Sequence, residues 1–422
     1  MRLPLTIALL CALASVVHAA PPSVILLSWD GVRHDQPDRV PLPGLERMQR
    51  DGTRAERLIP VTPSLTFPSH ASLATGTHPD RHGIVSNTFR DRERGVFDYS
   101  NDASWFLAEP LWVAAERQGV PAAAFFWVGS ETLWRGTGAR YRKSPFDSDV
   151  PESTKVEQIL AWLDLPPSER PRLIMSWWRG SDRAGHLHGP DAEEVGDALR
   201  SQDAMLVKLL AGIDARSLWP DLTLVVVSDH GMSLATQSID LESALSEIGA
   251  QGDVLASTAT AHIFLEAPER APEVARALDA HPEIDAHAAG ALPAALRIGP
   301  RARIGDVVCI THPPNTFRIG ALERAMRTFG MGIGSHGYTP EHPAVHGILY
   351  ALGRGVATGG RVGRAHAIDV APTVAALLGI EPPEQSEGTI IDFEASTSRP
   401  MPPGARNENS QGRSPGGDGS RN

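Results

Sequence analysis

This 422-residue sequence predicts an α/β protein, doubly wound around a largely parallel sheet and carrying a smaller inserted subdomain. Three observations lead there. Short unbroken apolar runs recur along the chain, helical patterns separate them, and ionisable residues follow several runs directly, where ligands bind beyond the carboxyl ends of parallel strands.

The runs are VILLSWD (24–30), AAAFFWV (122–128), RLIMSWW (172–178), LTLVVVSD (222–229) and HGILYALG (346–353). Continuous apolar runs of this length suit strands covered on both faces. Between them lie the helical patterns PGLERMQRDG, SHASLATG, EPLWVAAERQG, DAEEVGDALRSQDAMLVKLLAGI and IDVAPTVAALLGI, several closing at a glycine that stops the helix. The stretch from about 240 to 330, with HPEIDAHAAG and RIGDVVCITHPPN, has a mixed pattern and reads as an insertion beside the site.

Both ends read differently. Residues 1–20 combine Arg2, an apolar run from Leu3 to Val17 and small residues at Ala19 and Ala20, the three parts of a secretory signal cleaved after one of those alanines. The run is shorter than the roughly 20 apolar residues that span a bilayer, so no stable membrane insertion is expected after cleavage. An exported protein, periplasmic or secreted, follows. Its main domain would run over 21–395, and the Pro-, Gly- and Ser-rich residues 396–422 would form a disordered tail. Removing the signal takes Cys11 and leaves Cys309 alone, which excludes an internal disulfide.

Against 39 basic residues stand 50 acidic ones, a balance that argues against polymeric nucleic acid as partner. A small anion held at a local positive site fits better.

Seven residues could build such a site: Asp30, Thr66, Asp182, His186, Asp229, His230 and His336. Three carboxylates, three imidazoles and a hydroxyl suffice to hold two divalent cations and leave positions open for phosphate and a nucleophile. Asp229, His230 and Gly231 end a strand and read either as a metal site or as a turn. In SDRAGHLHGP, Asp182 and His186 stand four apart, so one helical turn can aim both at one ion, with His188 a competitor. The glycines around His336 in GSHGY allow close backbone approach. Thr66 in TPSLTFPSH precedes a helix, where it serves either as a cap or as a nucleophile whose hydroxyl a bound cation acidifies.

The order and residues of these motifs together resemble the nucleotide pyrophosphatase/phosphodiesterase family of the alkaline phosphatase superfamily. The resemblance covers Val24 to Ile380. It rests on SWDG at Asp30, TPSLTFPSH at Thr66, THPDRHGIVSN ending at Asn87, DRAGHLHGP, VVVSDHGM, GSHGY and IDVAPTVAALLGI. It implies a sheet of the alkaline phosphatase type and two zinc ions, one on Asp182, His186 and His336, the other on Asp30, Thr66, Asp229 and His230. Asn87 would help bind phosphate. Thr66 would attack phosphorus to give a covalent phosphoryl-threonine, later hydrolysed by water.

Two dications against three aspartates leave about one positive charge, which matches a monoanionic diester better than a dianionic monoester, although Arg81, Arg90 or Arg183 could shift that balance. The chain departs from the family pattern before Asp182, where SWWRGSD supplies Trp177, Arg179 and Ser181. Trp177 falls where the family's tyrosine stacks on a base, and Phe67 could form the opposite wall; ordinary core packing is the other reading of both. The expected substrate is a small phosphodiester or nucleotide, with a phosphomonoesterase or phosphonate hydrolase on the same scaffold as the alternative. A sulfatase is disfavoured, because that branch needs a cysteine or serine converted to formylglycine where Thr66 stands.

Overall fold

The computed structural model describes residues 20–317 and 333–394, so the expected signal segment up to residue 19 and the tail from 396 lie outside the described residues. Eight strands form the central sheet: β1 (Ser23–Trp29), β2 (Thr53–Ile59), β3 (Ala122–Phe125), β4 (Tyr141–Lys143), β5 (Leu173–Trp178), β6 (Leu222–Val227), β7 (Leu349–Gly353) and β8 (Gly360–His366). Their order across the sheet is β8-β2-β7-β6-β1-β5-β3-β4. Only β7 runs antiparallel to its neighbours.

The apolar runs are strands because both of their faces are covered. In β1, Val24 and Leu26 join the core on one side of the sheet while Ile25, Leu27 and Trp29 join the core on the other. Helices Thr66–Thr75, Leu111–Arg117 and Val370–Leu378 pack on the first side, and helices Pro43–Asp51, Glu152–Leu163 and Glu193–Ala215 on the second. A strand of alternating faces but uniformly apolar sequence is thus buried from both directions.

Strands β2, β4 and β8 lie outside the continuous apolar runs. Sequence TRAERLI of β2 alternates charge with apolar residues, and its Arg54 reaches out to Asp38 while its guanidinium lies 5.2 Å from the ring centre of Tyr350. Strands β4 and β8 are the sheet edges, and most of their residues are exposed or half-buried, so they carry no continuous apolar run.

Within the region expected as an insertion, Gly252–Ala256, Thr260–Leu265, Val307–Thr311 and Ile284–Ala288 pair in that order as an antiparallel sheet with its own core of Ile263, Val274, Leu278, Ile284, Val307 and Cys309. A short ladder pairs Ser233–Ala235 with Ile333–Ser335, antiparallel, and thereby lays His336 beside the segment that follows β6. Among the described residues no helix is long and apolar enough to cross a membrane.

Candidate metal centre

The register of the central strands sets the site. Trp29 pairs with Trp178, and Ser28 with both Trp177 and Val227, so β1, β5 and β6 end on one rim and the residues after them share it. The loops after β1 and β5 cross in direct contact. Gly31 and Gly180 both have positive φ, 71° and 60°. A side chain on Gly180 would collide with the Asp30 carbonyl, and one on Gly31 with Asp182. That carbonyl instead accepts the N–H groups of Ser181 at 3.0 Å and Asp182 at 3.2 Å.

Asp229 and Asp30 are each held by one oxygen and offer the other inward. Oδ1 of Asp229 accepts the backbone N–H groups of Gly31 and His230, both at 3.0 Å. Oδ2 of Asp30 accepts the Trp177 indole N–H at 2.8 Å. The opposite oxygens, Asp229 Oδ2 and Asp30 Oδ1, are buried without a hydrogen-bond donor, as is Oδ1 of Asp182. Leaving such atoms bare costs about 1–3 kcal/mol each or more when charged.

The imidazoles are oriented by the same logic. Nδ1 of His186 meets the Gly334 carbonyl at 2.9 Å, Nδ1 of His230 the Gly231 carbonyl at 3.0 Å, and Nδ1 of His336 the Ser64 carbonyl at 3.0 Å. A carbonyl only accepts, so each Nδ1 carries the proton and each Nε2 presents its lone pair. Nε2 of His336 lies 3.1 Å from Nε2 of His186, which lies 3.3 Å from Asp182 Oδ1. Nε2 of His230 lies 3.2 Å from Asp229 Oδ2 and 3.7 Å from Asp30 Oδ1. Two groups therefore converge, Asp182 with His186 and His336, and Asp30 with Asp229 and His230. Facing lone pairs and donorless carboxylate oxygens repel one another unless a cation stands among them. The donor set, all oxygen and imidazole nitrogen, fits divalent metal ions of the zinc type.

Electrostatics points the same way. Burial, then repulsion from Asp229 and Asp182, pushes the Asp30 carboxyl well above its ordinary range. Burial also raises Asp182, but positive charge on the surrounding groups His186, His336 and His230, where a bound cation would stand, outweighs it and holds that carboxyl below its usual value. His336 is driven well below the ordinary imidazole value by burial and by its neighbours His230 and His186, which keeps its lone pair available.

Thr66 opens helix Thr66–Thr75 as its first residue. The cap position belongs to Leu65, and no side chain caps the helix, so the threonine hydroxyl is not spent on that role. Its Oγ1 lies 3.3 Å from His230 Nε2, at the second group of ligands. One turn on, the fully buried His70 holds the Thr66 carbonyl through Nδ1 at 2.8 Å and meets Ser28 Oγ through Nε2 at 2.8 Å. No sequence motif marks His70 as functional, although its spacing of four from Thr66 puts it one helical turn away.

A cavity of about 420 Å³ opens over Asp30, Thr66, Asp182, His186 and His336. Phe67 and Trp177 line it, as the sequence suggested, joined by Tyr99, Phe126 and Phe146, which no local motif announces. Phe67 meets Tyr99 edge to face at 5.3 Å, and Phe146 meets Trp177 at 5.3 Å. Asn87 also lines the cavity, and its Oδ1 accepts the Phe67 N–H at 2.9 Å, leaving the amide NH2 to donate. Of the arginines considered from sequence, Arg183 lines the cavity, whereas Arg81 lies near Glu387 and Arg90 pairs with Asp253. His188 turns toward Glu194, outside both ligand groups.

A family model described as type I phosphodiesterase / nucleotide pyrophosphatase matches residues 24–339. The chain belongs to that family. Relatives include an uncharacterized pyrophosphatase/phosphodiesterase of Schizosaccharomyces pombe, 35% identical over 218 residues that cover 50% of this chain and 45% of the relative. Human ectonucleotide pyrophosphatase/phosphodiesterase family member 1 is 34% identical over 218 residues, covering 50% of this chain and 24% of its own length. The chain thus spans less than half the length of these curated relatives. Among solved structures, murine ectonucleotide pyrophosphatase/phosphodiesterase 5, an inactive form in complex with AMP, matches with a TM-score of 0.77 at 23% identity, over 86% of this chain and 96% of that one. The family and the α/β fold expected from the motifs are both borne out.

Proposed function

We propose that this chain is an exported phosphodiesterase/nucleotide pyrophosphatase that cleaves small phosphodiesters or phosphoanhydrides through a covalent phosphoryl-threonine at Thr66. The observation that carries the reading is the Thr66 hydroxyl, free of any capping role and 3.3 Å from His230 Nε2, at the edge of a cavity over two converging ligand groups. The relatives' shared name supports the substrate class.

Asp182, His186 and His336 would hold one zinc ion, and Asp30, Asp229, His230 and Thr66 the other; when bound, the ions would supply positive charge to the phosphate oxygens and acidify the threonine hydroxyl. The rest is work for the chain's own groups. The Thr66 oxygen, its proton given up to solvent, forms the bond to phosphorus as the bond to the leaving oxygen breaks, and that oxygen departs with the bonding pair and takes up a proton from solvent. Asn87 donates its amide NH2 to a non-bridging oxygen and so orients the phosphoryl group. Water then takes the place of the leaving group, releases the monoester and returns Thr66 with its proton. Phe67 and Trp177 enclose the retained arm of the substrate, with the Trp177 indole held in place by Asp30. The signal-like sequence of residues 1–20 supports export.

One observation favours the rival reading, a monoesterase or phosphonate hydrolase: Arg183 lines the cavity and adds a positive residue suited to a second phosphate charge. Comparing bis-p-nitrophenyl phosphate, thymidine 5′-p-nitrophenyl phosphate and p-nitrophenyl phosphate on zinc-loaded protein decides between them. The nucleotide diester is expected to be fastest. A clear preference for the monoester would reverse the assignment.

A further inference from the structure

The first turn of helix Thr66–Thr75 carries the Thr66 hydroxyl, and no side chain caps it. The opening N–H groups of a helix lack partners within it, so an uncapped first turn frays unless other parts of the chain hold it. Here two side chains do. Asn87 Oδ1 accepts the Phe67 N–H at 2.9 Å, and His70 Nδ1 meets the Thr66 carbonyl at 2.8 Å. Asn87 lines the cavity, whereas His70 is fully buried.

The tautomer of His70 follows from its partners. The Thr66 carbonyl only accepts, so Nδ1 carries the proton, and Nε2 is left to accept the Ser28 hydroxyl at 2.8 Å. Burial holds the imidazole below its ordinary pKa, which keeps it neutral. Trp127 fixes the residue from a third side, meeting the ring edge to face at 5.3 Å and donating its indole N–H to the His70 carbonyl at 3.2 Å.

Both ring nitrogens lead to the metal centre. Ser28 stands two residues before Asp30, on β1, and Nδ1 of His70 lies 3.4 Å from Asp229 Oδ2, the oxygen offered to the second ligand group. That N–H is spent on the nearer Thr66 carbonyl, so Asp229 keeps its lone pairs for a cation. The imidazole is thus wedged between the backbone of Thr66 and a ligand of the ion that would acidify its hydroxyl.

Resting on the reading of Thr66 as nucleophile, we propose that His70 is a positioning residue for phosphoryl transfer: its Nδ1–H, anchored through Nε2 to Ser28, sets where the Thr66 hydroxyl stands relative to Asp229 and His230. In-line displacement depends on alignment, and a misplacement of about 1 Å costs about 100-fold in rate. Substrate binding is spared, because Asn87 still holds the Phe67 N–H.

The test separates the two nitrogens. Asparagine brings an amide N–H to the place of Nδ1 and glutamine reaches the place of Nε2, so His70→Asn keeps the bond to Thr66 while His70→Gln keeps only the one to Ser28. On the zinc-loaded full chain with thymidine 5′-p-nitrophenyl phosphate, kcat of His70→Gln is expected to fall about 100-fold with KM within about threefold, and His70→Asn to recover to within about fivefold of wild type. Ser28→Ala, the milder change, should lower kcat about tenfold and carries the test if His70→Gln does not fold. Zinc content near two ions per chain and an unchanged Kd for thymidine 5′-monophosphate should accompany each loss. Equal kcat in the Asn and Gln variants, a loss carried by KM alone, release of an ion in step with kcat, or wild-type kcat in Ser28→Ala would each overturn the proposal. Turnover surviving in Thr66→Ala would instead strike the nucleophile reading itself.

Discussion

Trp177 lines the cavity, yet its indole N–H is spent on Asp30 Oδ2 at 2.8 Å, and that bond turns Asp30 Oδ1 toward the second ligand group. Replacing Trp177 by phenylalanine keeps an apolar ring against Phe146 and Lys155 while deleting the donor. A hydrogen bond to a charged acceptor contributes about 1.5–3 kcal/mol. Losing a partner that orients a metal ligand typically weakens the metal by about 10–100-fold, or about 1.4–2.7 kcal/mol, so two independent arguments agree. The assay is zinc competition against a chromogenic chelator on the full chain. Trp177→Phe should weaken one ion by that factor and leave the other within about threefold. If both affinities stay at the wild-type value while KM for a nucleotide diester changes, Trp177 is a cavity wall alone and the positioning argument is wrong.

Thr66→Ala should abolish turnover while metal content stays near two ions per chain, because Asp30, Asp229 and His230 remain; residual activity above about one per cent would count against the nucleophile. His336→Ala should release one ion selectively, as read by metal analysis after dialysis, and equal loss of both from a folded protein would contradict the two groups seen here. Lys155, buried under Trp177 with Glu152 at 3.5 Å, has its ammonium pushed down to about 8 from 10.5, chiefly by burial. A proton bound more weakly in the folded than the unfolded chain destabilises the fold below about pH 8, and the penalty fades as pH rises toward 10.5. Lys155→Met should therefore gain stability in urea unfolding at pH 7, and the gain should vanish near pH 10.5. A gain that grew with pH would refute that sign.

The candidate ligands were legible because each lies at a chemically conspicuous place. Asp30 and Asp229 follow apolar strands directly, Asp182 and His186 share one helical turn, and glycines flank His336. Much of the cavity was not. Tyr99 follows a short hairpin, Thr88–Asp91 with Gly95–Asp98, Phe126 follows a strand and Phe146 lies on a separate loop; nothing local to any of them signals that Tyr99 meets Phe67, or that Phe146 meets both Phe126 and Trp177.

By itself the sequence determined the covered strands, the family and the residue types available at the site. Burial on both faces leaves its mark in composition, and metal-binding side chains are few enough to stand out. Only the tertiary structure decided which atom of each ligand looks inward. That choice is made by the carbonyls of Ser64, Gly231 and Gly334, by the backbone N–H groups of Gly31 and His230, and by one indole. Every residue carries a carbonyl and nearly every one an N–H, so a backbone partner leaves no trace in residue identity until the chain has folded.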